Sequence, residues 1–324
     1  MRLYFSLFLI LILPALAACG SADVTPTRLP TRTPTPVSTA LPSVATAVAP
    51  GLPDNPLQMF IVPVDGEAAA ANETALEETL LNTTGVTLDV VLYENYADAL
   101  AEFCTASDES AVVWLDGFSY RAAIDLSCGD PALFIEREVD DDNRSGESTQ
   151  LVFSGSLGNT QISNLNGRVF CRLGFDDFHS WLMPTLILAQ NNVSTDDLES
   201  VVDYEDVDTL LEALVAGECA ATGLSDVEVA ERITDNEELA QAVNIGEPTA
   251  PIPYAVMLYP IEVQLGARIS LTEGLIDLAD DEEFTELMRP FLGQDDIERF
   301  ETSDFSDFNT YIDELGLDFS QLGN

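Results

Sequence analysis

Gly167 to Pro184 reads GRVFCRLGFDDFHSWLMP. Val169, Phe170 and Cys171 have the composition of a buried strand. A short turn follows, and Asp176, Asp177 or His179 stands where a helix begins. The stretch holds the only histidine of the chain, a cysteine, two adjacent acids and one of two tryptophans. A strand-to-helix turn offers backbone N–H groups to a ligand, and open α/β sheets bind ligands in crevices outside their strand ends.

Outward from this stretch the same alternation recurs. Towards the N-terminus, Leu57 to Val62 reads as a strand and Glu67 to Asn82 as a helix, with Asp65 as its cap and Gly85 at its C′ position. Val86 to Leu92 alternates as a second strand, and Tyr96 to Thr105 reads as a helix. Ala111 to Leu115 is a third strand, Phe118 to Leu126 a helix and Ala132 to Ile135 a strand. The segment EVDDDNRSGEST is a polar loop without an apolar period. Gln150 to Phe153 is strand-like and serves as a first crossing between two lobes.

Towards the C-terminus, Val201–Val202 is a strand, Val207 to Val215 a helix, Cys219 to Leu224 a strand and Asp226 to Arg232 a helix start. Ala242 to Ile245 is a strand. Pro248, Pro251 and Pro253 mark an extended return crossing. Gln264 to Leu292 is helical throughout, and a last helix lies near Phe308 to Leu315. Strands alternating with helices predict parallel α/β sheets. Two such lobes joined by two crossings predict a bilobal protein that closes on a ligand by a hinge.

The chain's 324 residues, 46% of them hydrophobic, can fill the cores of two lobes. Its formal charge is −45, from 57 acids and 12 bases, every base an arginine. Such a surface repels phosphate backbones and anionic membranes, which excludes sequence-independent nucleic-acid binding. It also suits a saline medium, where screening relieves self-repulsion.

Residues 1–18 have the form of a signal peptide, with a basic start, an apolar run from Leu3 to Leu13 too short to span a bilayer, and small residues before Cys19. Leu16-Ala17-Ala18-Cys19 resembles the lipobox of bacterial lipoproteins, which implies cleavage before Cys19, lipidation of its thiol and an extracytoplasmic protein anchored to the cell membrane. Residues 19–56 form a tether: eight of the seventeen prolines fall between Ser21 and Pro56, which favours a semi-rigid extended chain.

With Cys19 set aside, four cysteines remain, and an exported protein uses an even set as disulfides. Four allow three pairings. Cys104–Cys128 with Cys171–Cys219 keeps each bridge within one lobe, lobe I being residues 57–150 plus 255–324 and lobe II residues 151–254. Zinc is the alternative, but no C-x-x-C spacing occurs.

Several segments together resemble the phosphonate/phosphate-type (PhnD-like) substrate-binding lipoproteins of ABC importers, with their type II periplasmic-binding-protein fold. They are LEETLLNTTGVTLDVVLYENYADALAEFC, VVWLDGFSYRAA, LNGRVFCRLGFDDFHSWLMP, ALVAGECAATGLSD and PIPYAVML, in the family's order over nearly all of Leu57 to Leu317. The resemblance implies a small-molecule ligand between the lobes, an ABC permease as partner, a monomer, and no cofactor. It implies a ligand region of Tyr96, Trp114, Asp116, Tyr120, Asp177, Phe178, His179, Ser180, Glu205, Asp206 and Ser225. The family grips its anion with a Ser-Thr-Ser segment, and Asp177, Phe178 and His179 stand there instead. Glu205 stands where the family often has a histidine, and Asp206 matches.

This exchange changes the expected ligand. A carboxylate beside a bound oxyanion opposes it by roughly 4 kcal/mol or less at an effective dielectric near 20. An amine-bearing, zwitterionic or neutral ligand is therefore expected over a free oxyanion, with Trp114, Tyr120 or Phe178 covering it. Asp177 could equally be a plain N-cap, His179 a helix-start residue bonded to Asp176, and Trp114 and Tyr120 core residues. A metal held by His179, Asp177 and Glu205 fits by residue type alone. No G-x-S-x-G, P-loop, H-E-x-x-H or G-x-G-x-x-G occurs, so catalysis is not expected. Against the importer receptor stands one other reading, a lipid-anchored sensory or accessory domain reusing the fold, for which a cleft packed shut by Phe178 and Trp181 would speak.

Overall fold

The structure is a computed structural model and describes residues 49–105, 110–139, 142–234, 236–261, 265–317 and 319. The expected signal peptide, Cys19 and most of the tether lie outside these residues. Ala47 to Asn324 form one compact unit.

In chain order the elements begin with β1 (Leu57–Ile61), α1 (Gly66–Thr84), β2 (Leu88–Leu92), α2 (Tyr96–Thr105), β3 (Ala111–Leu115) and α3 (Gly117–Asp125). The polar loop expected after the fourth strand is shorter than it reads. Strand β4 runs from Asp130 to Val139, and β5 (Asp142–Arg144) and β6 (Gly146–Glu147) lie where turn formers suggested none. Then come β7 (Thr149–Ser154), β8 (Val169–Arg172), α4 (Met183–Gln190), β9 (Ser200–Asp203), α5 (Val207–Ala216), β10 (Ala221–Ser225) and α6 (Asp226–Glu228), which continues as a wider turn to Thr234. The chain ends with α7 (Glu237–Ala242), β11 (Val243–Ile245), β12 (Ile252–Pro253), β13 (Val256–Tyr259), α8 (Leu265–Ala279), α9 (Glu282–Leu292), β14 (Asp296–Arg299) and α10 (Ser306–Leu315).

The helix expected over Gln264 to Leu292 is thus two helices. Asp281 is the reason: its carboxylate accepts from the amides of Glu283 and Phe284 and caps a new start. Elsewhere the caps stand as read. Asp65 accepts from Ala68 N at 3.0 Å, and Gly85 closes α1 with φ of 70°.

Two sheets organise the chain, one for each lobe of this bilobal α/β fold. The larger runs β14-β4-β13-β3-β1-β2, with β5 added on β4; the smaller runs β11-β7-β10-β8-β9. Neither is wholly parallel, as alternation alone suggested. In the first, β13 enters antiparallel between β3 and β4; in the second, β7 lies antiparallel to β10. Gln150 to Phe153, expected as the first crossing, lies instead inside the second sheet as β7, and the crossing is β6; β7 and β13 each directly follow a crossing, so they arrive running the opposite way. Both sheets otherwise share one order, with the first parallel strand flanked by the second and third.

The crossings are joined to each other. Strands β6 and β12 pair antiparallel, Glu147 opposite Ile252 and Gly146 opposite Pro253. A Cβ on Gly146 would stand 2.4 Å from the Ile252 carbonyl oxygen, so only glycine permits this approach. Tyr254 N donates to Ser145 O at 3.1 Å, and Thr249 N to Thr149 O at 2.9 Å, extending the ribbon.

Apolar cores cover both faces of each sheet. One face of the first sheet buries Leu57, Met59, Trp114 and Met257 under α1, α8 and α9. Its other face buries Phe60, Val113 and Tyr120 with Phe103 and Phe308. The bridges are Cys104–Cys128, which holds α2 to the turn after α3, and Cys171–Cys219, which holds β8 to the entry of β10. No helix among the described residues is long and apolar enough to cross a membrane.

Candidate functional site

The helix start read from Gly167–Pro184 forms at Phe178, with Asp177 as its cap. Asp177 Oδ1 accepts from Ser180 N at 2.7 Å, and Ser180 Oγ accepts from Leu173 N at 2.9 Å. These bonds fold the turn back on its own strand. The first turn, Phe178 to Leu182, is wider than an α-helical one, with Leu182 N reaching Asp177 O at 3.0 Å. It lies hard against β10, where a Cβ on Gly223 would stand 2.1 Å from the His179 carbonyl oxygen.

This seating aims His179 at the crossing ribbon. Its Nδ1 is 2.7 Å from Thr149 Oγ1, and its Nε2 is 3.7 Å from Glu147 Oε2. With Thr149 donating, the Nε2–H faces Glu147. Burial alone pushes the Glu147 carboxyl up, but the hydrogen bonds from His179 and Ser225, with the charges of His179 and Arg137, outweigh it and hold its pKa below the usual value. Glu228 goes the other way. Burial raises it, with Asp177 and Glu147 adding to the rise, against the Ser225 backbone hydrogen bond and His179. Ser225 and Glu228 cap each other at the start of α6.

The first lobe supplies the facing groups. Asp116 caps α3 through Ser119 N at 2.7 Å, and burial raises its pKa. Tyr96 opens α2, its phenol pushed up to about 12 by burial and then by Asp116, against the charge of Arg137. Tyr254, on the return crossing, is also pushed up to about 12, by burial and then Glu147. The Arg137 guanidinium lies 4.2 Å over its ring, within cation–π range. A set of electrostatically coupled polar groups, here called the cluster, therefore runs from Asp116 and Tyr96, through Arg137, Tyr254 and Glu147 at the crossings, to His179, Asp177, Ser225 and Glu228.

Of the residues expected in a ligand region, the structure brings Tyr96, Asp116, Asp177, His179 and Ser225 into this cluster. Ser180 adjoins it but is wholly engaged in shaping the turn. Phe178 turns to the first lobe instead, meeting Phe118 edge to face and packing with Met183 and Leu186 into the cluster of Ile252 and Phe308. Trp114 is 0% exposed in the core, its Nε1 buried without a partner among the described residues. Tyr120 packs against Phe300 and Phe305, and its hydroxyl bonds Asn309 on the far side of α3. Glu205 and Asp206 lie exposed; Asp206 accepts from Thr209 N at 2.8 Å, which with Arg232 lowers its pKa. Trp181 stays in its own lobe, against Phe170 and under Arg172.

Five members of the cluster, Arg137, Glu147, Thr149, Glu228 and Tyr254, were not singled out from the sequence. Arg137 and Glu147 fall in what reads as a charged loop and its edge, and Tyr254 in a proline-marked crossing. The one sequence signal was Ser225-x-x-Glu228, a capping box directly after a strand.

Thr149, His179 and Glu147 form a hydroxyl–imidazole–carboxylate series, the arrangement of an activated nucleophile. Thr149 is 0% exposed and paired within β7, so its oxygen is closed to any substrate. The series orients the imidazole. A metal has less support: among the described residues His179, Asp177 and Glu205 do not gather closely enough to share an ion, and the one group of acids that does, Glu136, Asp296 and Glu298, lies on β4 and β14.

Residues 60–308 match the family model of the periplasmic substrate-binding protein of phosphonate ABC transporters. None of the curated proteins matches. Among solved structures, the chain is similar to a Xanthomonas citri protein bound to chloride ion, at 13% identity and TM-score 0.58, over 80% of this chain and 97% of that one. A TctC solute-binding protein from Polaromonas, without ligand, is similar at 9% identity and TM-score 0.51, over 82% and 98%. PhnD1 from Prochlorococcus marinus in complex with methylphosphonate has 15% identity and TM-score 0.49, over 80% and 98%. At these identities the likeness is one of fold.

Proposed function

Because this chain belongs to the family of periplasmic phosphonate substrate-binding proteins of ABC transporters, we propose that it is a lipid-anchored solute receptor that closes on an amine-bearing, zwitterionic or neutral polar ligand rather than on a free oxyanion. The family is extracytoplasmic, binds a small molecule and delivers it to a permease. Anchoring through Cys19 and action as a monomer with lobes at 57–150 plus 255–324 and 151–254 complete the proposal.

The observation that carries the ligand class is the acidic character of the cluster where the crossings meet. Glu147 is held ionised at the ribbon, and Asp177 and Glu228 flank His179 at the helix start. A doubly charged oxyanion at that helix start would face all three carboxylates. An ammonium group would be matched by them, with Tyr96 and Tyr254 as aromatic neighbours.

A thermal-shift screen of the full chain against phosphate, alkylphosphonates, polyamines, amino acids and divalent metals tests this, since a ligand of the native state raises the apparent melting temperature. Amines or zwitterions are expected to stabilise. Stabilisation by phosphate or methylphosphonate at micromolar concentration would overturn the ligand class, and silence of the whole panel would overturn solute binding. The sensory or accessory reading draws support from one feature, the packing of Phe178, Met183 and Leu186 across the lobes. Failure to bind every solute, with an unchanged closed shape, would favour it.

A further inference from the structure

Arg137 is the exception in the charge pattern of this chain. Among the described arginines, Arg121, Arg144, Arg172, Arg232, Arg268, Arg289 and Arg299 each have a carboxylate at ion-pair distance. Arg168 has none and is exposed. Arg137 has none and is half-buried, in a protein with 57 acids. A partly desolvated cation without a counter-charge is unfavourable unless something else answers it.

Its fixed contacts answer part of it. Nη2 donates to the Leu292 carbonyl at 3.0 Å, at the C-terminal end of α9, where a cation suits the helix dipole. The face of the guanidinium rests on Tyr254. Nε is buried without a partner among the described residues, and a guanidinium carries five donors in a planar fork that matches an acidic group bidentately. The stack and the carbonyl bond hold that fork still, and no carboxylate of the described residues pairs with it. The ring it rests on belongs to the return crossing, where Tyr254 N donates to Ser145 O, so Arg137 borders the ribbon between the lobes.

The cleft is thus polarised. A fixed cation lies on the first lobe at the end of β4, and Glu147, Asp177 and Glu228 gather around His179 on the ribbon and second lobe. A plain amine leaves the guanidinium unanswered, and a plain oxyanion meets the carboxylates.

We propose that Arg137 is the anion-recognising residue of the interlobe cleft, and that the ligand is a zwitterion whose acidic group binds its guanidinium while its ammonium lies among Glu147, Asp177 and Glu228. This rests on the solute-receptor reading above and narrows it to one ligand class. The helix-start anion site is replaced by an arginine on the opposite lobe.

The test is calorimetric titration of the full chain with 2-aminoethylphosphonate and β-alanine, and with ethylamine and ethylphosphonate as their separate halves. At least one zwitterion is expected to bind more tightly than either half. Arg137→Gln should weaken it by about tenfold to a hundredfold, the worth of one charge-assisted hydrogen bond, and leave ethylamine affinity unchanged. Arg137→Lys keeps the charge and the fold but not the fork, and should recover only part of the loss. A purely structural Arg137 would lower the melting temperature in both variants and keep the zwitterion's advantage over ethylamine, which overturns the proposal and leaves the receptor reading standing. Failure of the wild-type chain to bind all four probes overturns both.

Discussion

Phe178 of the second lobe meets Phe118 of the first edge to face, with ring centroids 5.7 Å apart and planes at 69°. Phe118 is itself braced by Phe308 and Phe319, so one aromatic contact carries closure into the C-terminal part of the chain. An aromatic pair of this geometry contributes about 1 kcal/mol beyond its buried area. Phe178→Ala should therefore shift the open-to-closed ratio at least about fivefold towards open. Small-angle scattering of the unliganded chain reads this as a larger radius of gyration; an unchanged radius would mean that the aromatic contact does not govern closure.

Two acids of the cluster should respond to pH with opposite sign. The folded-state pKa of Glu147 is lowered from 4.5, so its ionisation stabilises the fold above that value, and the contribution is lost as pH falls through the folded pKa. Glu147→Gln should destabilise at pH 7 and converge with wild type in acid. The pKa of Glu228 is raised from 4.5, so its ionised form opposes folding at neutral pH. Glu228→Gln, which keeps an acceptor for Ser225 N, should stabilise at pH 7, with the gain fading as pH falls through the raised pKa towards 4.5. Urea unfolding across that range checks both slopes.

Gly223→Ala places a methyl group 2.1 Å from a backbone carbonyl of the helix start. Overpacking of this kind costs about 1–3 kcal/mol, and more where backbone has to move. The loss should be visible in the urea midpoint, and ligand affinity should fall with it, because the helix start carries His179. Unaltered stability would contradict the seating of that turn on β10.

Asp177→Ala separates a cap from a ligand group. Loss of the cap alone lowers stability by about 1 kcal/mol. If Asp177 also meets an ammonium, affinity for an amine-bearing ligand should fall by about tenfold in addition, while Asp206→Ala, a cap exposed on α5, should cost stability only.

Reduction should unfold the second lobe more readily than the first. The Cys171–Cys219 bridge spans 48 residues and Cys104–Cys128 spans 24. Loop-closure entropy gives about 4 and about 3.5 kcal/mol. Serine replacement of each pair, followed by thermal melts, checks the order, and unreduced peptide mapping checks the pairing.

What the sequence makes legible follows the range of the interactions. Asp65, Gly85, Asp177 and Asp206 each cap a helix within three or four residues, and Tyr96–Thr105 and Ala111–Leu115 have the bounds their patterns give. The cluster at the crossings depends instead on Glu147 meeting Ile252 and on Thr149 meeting His179, contacts that no local period encodes. Trp114 and Tyr120 show the converse. As residue types they suit a binding pocket, but strand alternation and helix phase turn them into cores.

The β6–β12 ribbon has a consequence for how the lobes move. Two separate strands would let one lobe swivel about the other like a ball on a cord. Strands bonded side by side, with Gly146 pressed against Ile252, tie the two crossings into one ribbon, so neither can bend without the other. Any swing of the lobes therefore carries both crossings together. Glu147 belongs to that ribbon, so its contact with His179 joins the second lobe to the crossings themselves rather than to a rim.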